Sequence, residues 1–509
     1  MSAEIFSQGK MNRKQVAFWI FLLALLTAPT WFYPYFPRFD SGAYLMGIRC
    51  LAAGQWPKVL SHPLQPPATY PPVTMLLLAP VHRLFGGNTV ALRLALSACW
   101  LLAVGLIFRW WDREPPLRRV WLAVLAGSGS VWLYCGRIQS EIPYLLISVA
   151  ALAALDRWKR AERFWGGGWG PAALALVALA GLTRQIGLML AAGGAIYLSF
   201  DQRRWKRGLA AGALLLAIGL TPGVALYSVT QPGQFSPEKS SLMRRDGWNP
   251  EKGQIRPASR ELLGRLKSNV AESLTLAPAS LFVRDFAPAT RVGRWSLLPL
   301  SLLLVIGYFR RWRSEPAAAE FYLPCYLALL WITPWLVETR FFTVLVPWLV
   351  LYLYEGTEWL ALRVARREPV ARHFATAVVL LLAGVNLVSI GQYRFVDRWS
   401  LIQNDEAEAY QLYANWLDPR DVVLTHDPFA FFMMTGIRAM SYTAGEQKYQ
   451  PPYRLPAYLQ NGGRVNAILY PDADAEAVKK LLQAQGWEVK NPQSQKHWNF
   501  GRLDQQKPL

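Results

Sequence analysis

Six ionisable residues stand out by position: Asp40, Arg137, Glu141, Arg184, Glu338 and Arg340 each lie at the edge of a long apolar run. Charges at such edges are costly, and they mark either function or an ion pair. A positioned carboxylate can take the proton of a poor nucleophile. A guanidinium suits phosphate because its fork is planar and binds at two points. The plainer alternative for each residue is that the end of a span touches water and carries charge anyway. Asp40 has its own local alternative. In Asp40-Ser-Gly-Ala-Tyr44-Leu it caps a helix over 40–53, with Tyr44 one turn later on the same face.

The elements that must hold these residues are membrane helices. The chain has 509 residues, of which 53% are hydrophobic and only 17% charged, against about 25% charged in an average soluble protein. That excludes a disordered chain and argues against a soluble enzyme. The net charge is +21, but the basic residues come in short clusters between apolar runs, as at Arg118-Arg119, Arg157 to Arg163, Arg203 to Arg207, Arg310 to Arg313 and Arg363 to Arg372. This is the positive-inside pattern of a polytopic membrane protein; nucleic acid, which needs one continuous basic surface, is not expected. Cys50, Cys99, Cys135 and Cys325 are far apart and the five His are scattered, so neither a disulfide framework nor a metal site is expected.

A helix needs roughly 20 apolar residues to cross the bilayer. Eleven spans are expected, over 16–34, 90–110, 119–136, 140–156, 171–183, 184–200, 208–229, 294–309, 318–336, 340–357 and 374–392. The pair 171–183 and 184–200 is one apolar stretch interrupted at Thr183-Arg184-Gln185, and such a break requires protein or a wet cavity beside it. With the N-terminus (Lys10, Arg13, Lys14) in the cytoplasm, the basic clusters fall on the cytoplasmic side. The outer side receives the loop 35–89, the turns near 137, 184 and 338, the loop 231–293 and the tail 393–509. Residues 73–85 are apolar but short and follow Pro71-Pro72, which fits a helix lying on the membrane. The loop 231–293, with Arg244, Arg245, Asp246, Trp248 and Asn249, has the length of a lid over a site.

The expected domains are a membrane catalytic part, 1–392, and an extracytoplasmic α/β domain, 393–509. In the tail, 421–425, 465–470 and 487–490 read as strands, 428–436 as a short helix or loop, and 474–485 as an amphipathic helix. No Gly-rich phosphate loop is present, so no nucleotide fingerprint is read.

Several short motifs in order carry a resemblance. Asp40-Ser-Gly-Ala-Tyr44-Leu, Leu51-Ala-Ala-Gly54, Tyr70-Pro-Pro72, Leu77-Leu-Ala-Pro80 and Leu84-Phe-Gly86 are followed by Ser140-Glu141-Ile-Pro-Tyr144, Leu182-Thr-Arg184-Gln-Ile-Gly187, and Arg340-Phe-Phe with Pro347. The set resembles the GT-C membrane glycosyltransferases, in the branch of the lipid A aminoarabinose transferase and the protein O-mannosyltransferases. It spans roughly 15–360. The resemblance implies a bundle of membrane helices, here the eleven spans counted above, with catalytic loops on the outer face. It also implies transfer, with inversion, of a sugar from a polyprenyl-phosphate carrier. Asp40 then takes the place of the general base. Many members have a second acid beside it, where this chain has Ser41. A second acidic position in the next outer turn is matched by Glu141.

The chemistry is consistent with that implication. The acceptor hydroxyl needs a base, which Asp40 supplies, and the departing lipid phosphate needs cations. Arg340 is the first choice for the phosphate, with Arg184, Arg137, Lys58 and His62 as further candidates. Arg340 alternatively pairs with Glu338, and Lys58 and His62 alternatively lie on a solvated surface. Tyr44 and Tyr70 are candidates to stack on a sugar, or simply to pack, and Glu338 is a further substrate-side candidate. No cofactor is required; a divalent cation is possible chemistry that no motif indicates. The expected partners are the lipid-linked sugar donor, a lipid, glycan or protein acceptor, and membrane lipids. The expected location is a bacterial inner membrane with the site facing the periplasm or exterior. A transporter or lipid flippase of envelope precursors and a non-catalytic assembly subunit are the competing readings. A transporter would gather its charges near the midplane, whereas here they collect at one face.

Overall fold

The computed structural model describes residues 13–504 except 33–38, 66–69, 112–113, 162–167, 201–204, 231–257, 283–295, 315, 334–336, 397, 443–457, 460–463, 486 and 496. The chain is mostly helical and divides into two compact units. One is built from residues up to 33 together with Arg93–Phe395; the other combines residues 34–92 with Val396–Leu509.

The first unit is a helical bundle. Among the described residues, Thr89–Trp110 and Glu368–Gln392 are long and apolar enough to cross a membrane. Shorter apolar helices are Lys14–Thr27, Trp169–Thr183, Gln185–Ser199 and Ala318–Ile332. The eleven runs read from hydropathy therefore do not become eleven unbroken spanning helices. The run 119–136 splits into Pro116–Ser128 and Ser130–Cys135 at Gly129. The run 340–357 splits into Thr339–Thr343 and Val346–Ala365, and the second piece carries Glu355 and Glu358. Hydropathy averages over such breaks, whereas backbone hydrogen bonding does not.

Packing in the bundle depends on small residues. The helices Leu298–Ser314 and Val346–Ala365 approach so closely that a Cβ on Gly307 would overlap the Tyr352 carbonyl, the close-contact device of membrane helix pairs. The break expected at Arg184 is present. Helix Trp169–Thr183 ends there, Arg184 is extended (φ −149, ψ 141), and a 3₁₀ turn, Gln185–Gly187, leads into Leu188–Ser199. The Arg184 N–H still reaches Ala180 O at 3.0 Å. A Cβ on Gly187 would overlap that same carbonyl, so this turn needs glycine for space.

The long loop 231–293 is not structureless. Ala258–Ala279 is a 22-residue helix, and Asn269 in it donates to the Leu330, Trp331 and Thr333 carbonyls, the open end of helix Ala318–Ile332. The residues Arg244 to Asn249 lie outside the described residues, as do Lys10 and the start of the first outer loop.

The second unit joins the first outer loop to the tail. Its sheet has the order β2-β1-β3-β5-β4, with β1 Val422–Thr425, β2 Arg438–Ser441, β3 Ala467–Pro471, β4 Glu488–Gln495 and β5 Trp498–Asp504. β1 is parallel to β2 and β3, and β5 is antiparallel to β3 and β4. Helix Arg398–Ala414 covers one face, where Tyr410, Tyr413, Phe431, Trp498 and Phe500 form a buried aromatic core. The amphipathic helix Ala475–Gln485 lies on the other face, against Leu424, Met440, Val465 and Ile468. The reading missed β2, β5 and the helix Arg398–Ala414. Arg-Ala-Met-Ser lacks a strand pattern, and Gly501 interrupts Trp498–Asp504.

The second unit takes up the tail from Val396, close to the expected boundary at 393, and adds residues 34–92 to it. Residues from the first loop pack with the tail: Phe429 joins Ala43, Met46 and Val59 in one core. The Ala439 N–H donates to Ser61 O at 2.8 Å, extending the β2 edge into the loop. Within the loop, helix Phe39–Ala52 packs on helix Val73–Leu84, where Gly47 leaves room for the Met75 sulfur. The short apolar helix is thus present. It buries Thr74, Met75, Leu78 and Ala79, while Leu76, Leu77, Leu84 and Phe85 are exposed.

Candidate active site

The candidate residues fall into two groups, one in each unit. In the bundle, Glu141 occupies the first turn of helix Glu141–Arg160 and is buried. Its Oε1 lies 2.5 Å from Arg184 Nη1, and the two side chains are only 4% and 11% exposed. Glu141 Oε2 has no hydrogen-bond partner among the described residues. The extended backbone at Arg184 delivers this guanidinium; a continuous helix from 169 to 199 would carry it elsewhere.

Three further charges surround the pair. Arg340 Nε lies 2.9 Å from Glu338 Oε2, so the ion pair weighed for this triplet is formed. The Arg137 guanidinium sits 5.2 Å from the Tyr134 ring centre. Arg137, Glu141, Arg340 and Glu338 all act electrostatically on the Tyr134 hydroxyl, which places them in one neighbourhood. Among the described residues, three guanidiniums and two carboxylates gather here.

Aromatic residues organise this group. Phe341 lies below both guanidiniums, 5.9 Å from Arg184 and 5.1 Å from Arg340, within cation–π range. The Phe341 carbonyl accepts from the Tyr326 hydroxyl at 2.6 Å. Behind it, the Tyr144 and Tyr322 hydroxyls share a hydrogen bond of 2.7 Å, and all three tyrosines feel the Arg184 charge. Sequence reasoning quoted Tyr144 and Phe341 only as motif members and missed Tyr322 and Tyr326 entirely. The buried hydroxyls on a helix read as plain span were the available signal.

In the second unit, Asp40 lies in the first turn of helix Phe39–Ala52, one residue inside the helix, and is half-buried. The Tyr70 hydroxyl donates to Asp40 Oδ1 at 2.7 Å. Tyr44, buried on the same helix face, packs on Tyr70 with ring centres 5.2 Å apart. Asp40, Tyr44 and Tyr70 are thus brought together. The other two loop candidates differ in burial. Lys58 is exposed. His62 is fully buried; its Nδ1 accepts from the Leu64 N–H at 3.1 Å and its ring meets Tyr458 edge-on. Its surroundings are those of a packed core histidine rather than a surface cation.

A second charged cluster was not foreseen as one. Around the start of helix Pro116–Ser128, Glu114 meets Arg118 and Arg311, and Glu355 meets Arg118, Arg310 and Arg311. Glu358 meets Arg310 and Arg372. The Arg118 guanidinium also stacks 3.5 Å from the Tyr354 ring centre. In the sequence these arginines stand out only as topology signals, and the three carboxylates among them belong to no motif. Among the described residues no group of His, Cys, Asp and Glu is arranged to hold a metal ion.

Comparison with known proteins gives the following. Residues 69–226 match the family model of dolichyl-phosphate-mannose-protein mannosyltransferase, a segment that holds Tyr70, Arg137, Glu141 and Arg184. No curated protein sequence matches the chain. ArnT from Cupriavidus metallidurans in the apo state shares 15% identity with a TM-score of 0.56, covering 96% of this chain and 98% of that one. The same protein bound to undecaprenyl phosphate gives 14% identity and a TM-score of 0.57, with the same coverage. The resemblance read from the ordered motifs is borne out by both comparisons: residues 69–226 match the protein mannosyltransferase family model, and the fold of nearly the whole chain is similar to that of ArnT.

Proposed function

We propose that the protein moves a sugar from a polyprenyl-phosphate carrier to a hydroxyl or phosphate of a lipid, glycan or protein acceptor. The observation that carries this reading is the buried Glu141–Arg184 pair with Arg340 and Arg137 beside it. Burying an ion pair rarely stabilises a fold more than apolar packing would, so its presence at a helix break argues for a ligand. The fold it sits in is shared with a structure that is bound to undecaprenyl phosphate.

In this reading Asp40 takes the proton from the acceptor hydroxyl. The freed oxygen attacks the anomeric carbon, the carbon–oxygen bond to the phosphate breaks on the opposite side, and the configuration inverts. The departing lipid phosphate carries new negative charge, which Arg184 and Arg340 neutralise with Arg137 adding to the field. Glu141 orients Arg184 through the ion pair. Lys58 remains a surface cation available to a substrate; His62 is assigned to the core. The transmembrane part is read as about eleven spans, counting broken and short helices. The acid–arginine group then faces the periplasm or exterior of a bacterial inner membrane, and the tail lies on that side too.

The test uses purified protein and synthetic polyprenyl-phosphate sugars. Asp40→Asn is expected to bind donor and to lose about 10²–10⁴-fold in turnover, with thermal unfolding unchanged. Consumption of no donor by the wild type, together with full cellular activity of Asp40→Asn, would sink the reading and favour transport.

A further inference from the structure

We infer that Tyr70 is a positioning residue for Asp40, orienting its carboxylate toward the acceptor hydroxyl by a hydrogen bond to Oδ1. The inference deepens the proposed function and rests on Asp40 being the base.

The geometry begins with Tyr70-Pro71-Pro72. A residue before proline is confined to extended backbone, and each proline ring restricts its own φ, which is −82 at Pro72. Both prolines are buried, and helix Val73–Leu84 begins directly after them. The Tyr70 backbone is therefore fixed by its own sequence. Its ring packs at a tilt of 56° on Tyr44, which lies one helical turn beyond Asp40. Helix Val73–Leu84 is in turn locked to helix Phe39–Ala52 by the Gly47–Met75 contact. Hydroxyl and carboxylate thus meet at 2.7 Å from two mutually anchored elements.

The chemistry gives this arrangement a purpose. A hydrogen bond to one oxygen restricts the rotation of a carboxylate about its last bond. Donation by Tyr70 ties Oδ1 and favours the ionised form, the form that accepts a proton. Stacking on a sugar, the role first considered for Tyr70, needs the ring but not the hydroxyl. The two roles are therefore separable by one oxygen atom.

The experiment compares Tyr70→Phe, Tyr70→Leu and 2,3-difluorotyrosine at position 70 in the full chain, with synthetic polyprenyl-phosphate sugar as donor. Tyr70→Phe keeps the ring. It is expected to lower kcat about 10- to 100-fold, as for loss of a hydrogen bond to a charged group, with donor KM unchanged. Without the donor the carboxylate is easier to protonate, so the acid limb of the kcat/KM profile moves to higher pH. Difluorotyrosine, a stronger donor of the same shape, is expected to move that limb to lower pH. A Tyr70→Phe protein with wild-type kcat and pH profile, failing only as Tyr70→Leu, would overturn the inference in favour of stacking. Asp40→Asn separates the two claims: if it is inactive while Tyr70→Phe behaves as wild type, the base stands and the positioning role falls. If Asp40→Asn turns over normally, the base reading itself falls.

Discussion

The two charged clusters of the bundle use the same residue types to opposite ends. Around Glu114, Glu355 and Glu358, each carboxylate is shared by two or three guanidiniums, and Arg118, Arg310, Arg311 and Arg372 come from three different helical segments. Around Glu141, each carboxylate meets one guanidinium, and the remaining Glu141 oxygen has no hydrogen-bond partner among the described residues. The two lie at opposite ends of the helical stretch from Pro116 to Cys135. A saturated network has no capacity left for a ligand and ties helices together. The second cluster, with more guanidiniums than carboxylates among the described residues, suits an anion. Charge count alone does not separate structure from function; the ratio of partners does.

That contrast can be broken at several points. The largest effect is expected from Glu355→Ala, which leaves several guanidiniums without their shared carboxylate. Such a loss costs about 3–5 kcal/mol, read as a lower unfolding midpoint in detergent, while turnover per folded molecule stays at the wild-type level. A loss of turnover at unchanged stability would reverse the roles of the two clusters. Arg340→Ala should do the converse. Its partner Glu338 is 55% exposed, so the pair itself adds little to stability. Binding of polyprenyl phosphate should weaken by about 1.5–3 kcal/mol, measured by calorimetry, with the midpoint unmoved. Gly187→Ala places a methyl group against the Ala180 carbonyl, at a cost of about 1–3 kcal/mol. It should also shift Arg184 and reduce donor affinity; unchanged affinity would separate the turn from the site. The smallest effect concerns Arg366, which ends helix Val346–Ala365 in the left-handed region at φ 53. Arg366→Gly should stabilise by about 1 kcal/mol. Destabilisation would show that Arg366 also serves the saturated network.

Much of this was legible beforehand, though unevenly. The helix break at Arg184 could be read because a charged triplet interrupts an apolar stretch. The short helix after Pro71-Pro72 was marked by proline and length. Glu141, Arg184 and Arg340 were visible as rare charges, but their proximity was not, since 43 residues separate the first two. Tyr70 was seen as an aromatic ring, because sequence does not show where a hydroxyl points. His62 misled for the same reason: a loop histidine gives no sign of the tyrosine, far along the chain, that covers it. The packing of the first loop with the tail was hidden because hydropathy reports on water and lipid, not on which polar segments find one another.

That last packing has a consequence in time. The Arg438 guanidinium donates to the Pro63 carbonyl across 375 residues of chain. At a synthesis rate of about 5–20 residues per second, the loop holding Asp40 waits roughly 20–75 s for its partner strand to emerge. Through that interval the bundle helices are made while the unit around Asp40 is incomplete. A chain that stops before Phe429 therefore never completes the core that Phe429 forms with Ala43, Met46 and Val59, so this unit matures last although it contains some of the first residues made.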